Sequence, residues 1–160
     1  MFRLHDIIPP GAIIPALTAN DREGVIRELV GALTRAGGIP AHLEGAVMQG
    51  VLDRERRTST GFGCGVAVPH AKHASLTQMG AAIGISARGI DFSSLDRQPV
   101  YCVFLLVSPD DKPEDHLGAM DAIFRHHVSK ESFRRSLRHA QTEQQVRDLL
   151  DASDAHRLHA

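Results

Sequence analysis

The residue with the most distinctive chemical surroundings in this 160-residue chain is His70. It closes the run Val66-Ala67-Val68-Pro69-His70, just after glycines at alternate positions, Gly61, Gly63 and Gly65. Imidazole is a good acceptor for a group that must later leave. With an ordinary pKa of about 6.5 it is largely neutral near pH 7, with a lone pair on one ring nitrogen. Phosphoryl transfer suits it, because that reaction depends mainly on positioning and on charge stabilisation at the oxygens. The glycines let a phosphate approach backbone N–H groups closely, and Gly61 and Gly63 are candidates for that contact. The hydroxyls of Ser59 and Thr60 either bond to phosphate or His70, or build the turn. From spacing alone, a structural histidine capping a strand fits His70 equally well.

These residues need elements to hold them. Val66, Ala67 and Val68 have the length of a buried strand, and Pro69, lacking an N–H, ends it, which leaves His70 at the strand tip. Upstream, Ile13 to Leu17 is a short edge strand. Asn20 with Glu23 is a capping-box variant that opens a helix from Asp21 to Ala36, striped by Val25, Ile26, Leu29, Val30 and Leu33. A second helix starts near Pro40 and buries Leu43, Val47 and Val51. It frays between Asp53 and Arg57 and delivers Arg54 to the glycine segment. Downstream, a loop from His70 to about Gln78 precedes a strand, Met79 to Ala87, and a connecting loop, Arg88 to Pro99. Val100 to Val107 is apolar almost throughout and reads as a central strand covered on both faces. His116 to Val128 is a helix with Leu117, Met120, Ile123 and Phe124 inward. Ser129 caps a helix to His139, and a Thr142/Gln145 capping box opens a last helix, Glu143 to Asp151. The expected class is α/β: one domain, residues 1–151, with a mixed β-sheet flanked by helices on both faces. Residues 152–160 form a loose tail.

Composition narrows the function. A net charge of −1 gives no electrostatic footprint for nucleic acid or acidic lipid. Two cysteines, Cys64 and Cys102, define no disulfide framework. No apolar run approaches the ~20 residues of a membrane-spanning helix, and Met1 to Asp6 has no secretory h-region, so no membrane insertion and a cytoplasmic setting are expected. His70, His73 and His116 could imitate a three-histidine metal site, but a loop spacing fixes no geometry; no metal and no cofactor are expected. His126, His127, His139, His156 and His159 read as surface residues. No nucleophile elbow or Walker loop is present, and Gly61-Phe62-Gly63-Cys64-Gly65 lacks the context of a dinucleotide fingerprint.

The combined pattern resembles the phosphoryl-accepting site of phosphotransferase-system EIIA proteins of the fructose/mannitol class, and most of all their nitrogen-regulatory branch. The matching residues are Arg54-Glu55, Ser59-Thr60-Gly61, Gly63, Gly65 and Val66-Ala67-Val68-Pro69-His70. The residue after the histidine, usually glycine in the family, is Ala71 here. The resemblance implies that His70 takes the phosphoryl group and that His116 and Arg54 stabilise its charge. It also implies a phosphorylated HPr-type carrier as donor and an EIIB or regulatory target as recipient. Phe62 and Met79 are candidate docking contacts, although Phe62 fits the core equally well. Two other readings remain: a protein-binding regulator that is never phosphorylated, and a histidine-metal hydrolase.

Overall fold

The computed structural model describes residues 3–159, with side chains for all of these except 126, 127 and 155–159. Among the described residues, six strands form one mixed sheet in the order β1-β5-β6-β3-β2, with β4 also paired to β6. The strands are β1 (Ile13–Ile14), β2 (Gly61–Gly63), β3 (Val66–Ala67), β4 (His70–His73), β5 (Gly80–Ile90) and β6 (Val100–Pro109). The helices are α1 (Arg22–Arg35), α2 (Glu44–Arg57), α3 (Pro113–Asp121), α4 (Glu131–His139) and α5 (Glu143–His159). A π-helical stretch, Ala122–Val128, joins α3 to α4.

Burial explains the layering. β6 is buried along nearly all its length, as its continuous apolar run requires, and it lies at the centre of the sheet. α1 and α2 pack on one another and on β5 and β4, whereas α4 and α5 pack together and reach β5, β6 and β1. The α/β class, the single mixed sheet and the two groups of helices agree with the sequence reading.

Several local expectations change. Asp21, not Asn20, caps α1, its side chain accepting from Gly24 N (2.7 Å). Leu117 points outward at 67% exposure rather than into the core. Ser129 does not cap α4; its hydroxyl donates back to the carbonyl of Arg125. The Thr142 cap is present, accepting from Gln145 N (3.1 Å). α5 continues past Asp151 to His159, and Ser153 and Asp154 are buried. The side chains of His126, His127, His156 and His159 lie outside the described residues.

The largest correction concerns Pro69. The segment after it is not a loop but β4, and β3 and β4 keep one register against β6: Val66 faces Cys102, Ala67 faces Val103, His70 faces Leu106 and His73 faces Pro109. Pro69 removes one donor from the ladder, yet its carbonyl still accepts from Leu106 N (3.0 Å). The two strands are one interrupted strand, and His70 stands within it, not at its tip.

Candidate functional site

β4 pairs only with β6 among the described strands, so His70 occupies an edge. Side chains alternate along a strand, which puts His70 and Lys72 on one face and Ala71 and His73 on the other. Ala71 faces α2, where a Cβ added at Gly50 would lie 3.5 Å from its own Cβ. On the opposite side, α3 brings His116 to His70. The two rings are 5.5 Å apart between centroids and inclined by 52°.

Each ring is fixed through its Nδ1. His70 Nδ1 lies 2.8 Å from the carbonyl oxygen of Val68. A carbonyl can only accept, so Nδ1 carries the proton and the lone pair is on Nε2. His116 Nδ1 lies 2.7 Å from Ser108 Oγ, a fully buried hydroxyl two places along β6 from His70's partner Leu106.

Val68 has a carbonyl to spare because of Glu55. Val68 N donates to Thr60 O (3.2 Å), and an antiparallel pair of this kind normally exchanges the return bond as well. Here Thr60 N donates instead to Glu55 Oε2 (2.8 Å), while Thr60 Oγ1 donates to Glu55 Oε1 (2.6 Å). The buried Glu55 carboxylate thus draws one donor out of the ladder, and His70 takes the vacated acceptor.

The electrostatics favour neutral rings. Burial is the main cause lowering the pKa of His70, and the charges of Arg54 and Lys72 lower it further, against opposing effects from the Val68 bond and Glu55. His116 is lowered to about 4, first by burial, then by His70 and Lys72. Arg54, on the last turn of α2, donates to Thr58 O (2.7 Å) and stays close enough to His70 to act on it.

His70, His116 and Arg54 are therefore brought together. Ser59, Thr60, Gly61 and Gly63 are not placed as phosphate ligands. Ser59 Oγ donates to Phe92 O and accepts from Gly61 N (2.9 Å), and Thr60 is buried against Glu55. Gly61 faces Ala67 and Gly63 faces Val66, so the turn at Gly63, Cys64 and Gly65 opens at the far end of the strand, about 13 Å from His70 at strand rise. The glycines answer steric and backbone needs: a Cβ on Gly61 would lie 2.3 Å from Ser94 Oγ, and Gly63 has φ +121. Lys72 and Ser108 were missed by sequence reasoning. Lys72 shares a face with His70 only if the segment after Pro69 is a strand, which the proline concealed.

His73 points to the other face, and no group of three metal-ligating side chains exists among the described residues. No helix among them is long and apolar enough to cross a membrane. Phe62 is half-buried, edge-on to Phe124 at 4.7 Å.

A family model described as "Phosphoenolpyruvate-dependent sugar phosphotransferase system, EIIA 2" matches residues 6–153. The chain belongs to this EIIA family. Its relatives include nitrogen regulatory proteins and fructose-specific components. A nitrogen regulatory protein of Bradyrhizobium diazoefficiens is 38% identical over 76% of this chain and 78% of its own length. A fructose-specific EIIABC component of Bacillus subtilis is 33% identical over 95% of this chain. The chain spans only 24% of that longer protein. Among solved structures, the nitrogen regulatory IIA protein of Neisseria meningitidis superposes with a TM-score of 0.82 at 27% identity, covering 91% of this chain and 97% of that one. The mannitol IIA of Escherichia coli, in a complex with phosphorylated IIB, shares the fold at 20% identity and a TM-score of 0.74, over 89% and 96% of the two chains.

Proposed function

We propose that this EIIA protein is a phosphohistidine carrier of the cytoplasm. It accepts a phosphoryl group on His70 Nε2 from a phosphorylated HPr-type protein, then relays it to an EIIB-type partner or holds it as a regulatory signal. The observation that carries this reading is the bond from His70 Nδ1 to Val68 O, which leaves the Nε2 lone pair free at a half-buried edge beside His116.

The Nε2 lone pair attacks phosphorus in line, and the P–N bond to the donor's histidine breaks as the new one forms. The phosphoryl oxygens carry the charge throughout, and the groups around His70 suit them. Arg54 and Lys72 supply positive charge. His116 has its Nδ1 against the Ser108 hydroxyl, and in the tautomer in which that hydroxyl donates, its Nε2–H is the group that can donate to a phosphoryl oxygen. Being neutral, the acceptor needs no deprotonation first. Ser59, Thr60 and Glu55 hold the backbone behind it, and Gly61 and Gly63 let that backbone pack. Leu117, exposed directly after His116, offers the apolar anchor that a transient carrier interface needs, whereas Phe62 and Met79 are half-buried and pack against the core.

The test is incubation with a phosphorylated HPr-type protein and mapping of an acid-labile label. Labelling of the wild type at His70 and none in a folded His70→Ala protein is expected. Undiminished labelling of that variant would refute the assignment.

A further inference from the structure

At the end of the sheet away from His70, α4, the β2–β3 turn and residues 96–99 line an open cavity of about 440 Å³, in the range of small-molecule sites. Two of the three arginines in its wall, Arg134 and Arg138, are held without a carboxylate. The guanidinium carbon of Arg138 lies over the ring of Tyr101, 3.4 Å from its centroid. Arg134 is held by its bond to the carbonyl of Val128. Among the described residues, neither guanidinium has a carboxylate within ion-pair reach.

The two acids of the cavity are engaged within its own wall. Glu131 pairs with Arg135 at 2.9 Å. Asp96 accepts from Cys64 N (3.1 Å) through one oxygen and from Gln98 N (3.0 Å) through the other. His139 donates its Nδ1 proton to Arg135 O (2.8 Å), which leaves its Nε2 as a further polar group of the wall. A planar cation pinned on an aromatic face has already lost most of its conformational freedom, so less is lost when it binds.

We propose that this cavity is a binding site for a small phosphate monoester, with Arg134 and Arg138 taking the phosphate oxygens and His139 and Gln98 the polar body. The guanidinium fork matches phosphate oxygens in pairs. The face of Tyr101 is occupied by Arg138, so a sugar-sized polar body fits better than a nucleobase that must stack there. The site is separate from His70 and does not depend on the carrier role.

Titration with glucose 6-phosphate, with AMP and inorganic phosphate as comparison ligands, followed by amide NMR, tests it. Saturable binding of glucose 6-phosphate is expected, with shifts at Cys64, Gln98 and the α4 segment 134–139, weakening as salt is added. Arg134→Gln and Arg138→Gln should each reduce affinity by about tenfold to a hundredfold, while His70→Ala binds as the wild type does. Absence of saturable binding overturns the proposal, as does binding unaffected by either arginine variant or lost in His70→Ala. Preference for AMP, or equal binding of inorganic phosphate, overturns the assignment of the ligand class.

Discussion

Arg54 and His116 illustrate how little of a functional residue's worth need appear in stability. Arg54 makes one bond, to Thr58 O, on a partly exposed helix end. In the proposed phosphoryl-bearing state it would also face phosphoryl oxygens, where charge-assisted bonds contribute roughly 1.5–3 kcal/mol. Arg54→Gln should slow labelling from a phosphorylated carrier by about tenfold to a hundredfold, at ~1.4 kcal/mol per decade, and leave the melting temperature almost unchanged. A large drop in melting temperature would instead make Arg54 a structural residue. His116 gives a pH signature. Its folded pKa of about 4 lies below the ordinary imidazole value of 6.5, so the unfolded chain binds more protons between those limits. Stability should fall as pH drops from about 6.5 towards 4, and His116→Gln should flatten that part of a melting-temperature profile. His70, lowered in the same direction, adds to the slope and keeps the acceptor neutral on the acid side of its ordinary range.

Elements decide whether those residues meet, and here Glu55 has the widest reach. Glu55→Ala would leave Thr60 N–H without its partner and free it to return to Val68 O, where it competes with His70 Nδ1. Ring nitrogen NMR of His70 should then show the Nε2–H tautomer gaining population. The melting temperature should fall as well, since the buried Thr60 hydroxyl also loses its acceptor on Glu55, at about 1–3 kcal/mol. An unchanged tautomer would break the link from Glu55 to the acceptor. Nothing in the sequence forecasts this arrangement. The Arg54-Glu55 and Ser59-Thr60 pairs were visible as a pattern, but which hydroxyl meets which acceptor depends on how the end of α2 meets the start of β2. Periodicity was enough for α1, α2, β6 and the Thr142 cap, because a stripe or an apolar run carries its own geometry. It failed at β4, since a proline within an edge strand looks the same as one that ends it. It failed also at Ser108, whose meeting with His116 requires the register of β6 and the start of α3 together.

At the scale of the whole molecule, the sheet keeps its two thiols in very different settings. Cys102 is buried in β6, and its pKa is pushed up to about 12, mainly by that burial. Cys64 is exposed at the β2–β3 turn, in a left-handed conformation (φ 59) that a side chain adopts only when its surroundings hold it there. A thiol-reactive dye should therefore couple rapidly to one cysteine of the native protein and reach the second only on unfolding, which mass spectrometry before and after denaturant would establish. Fast modification of both in native buffer would contradict the packing of β6. The wild-type chain thus carries an attachment point for a fluorophore or spin label, with no engineered cysteine required. That probe would sit about 13 Å along the sheet from His70 at strand rise, where it could report the arrival of a docking protein by energy transfer.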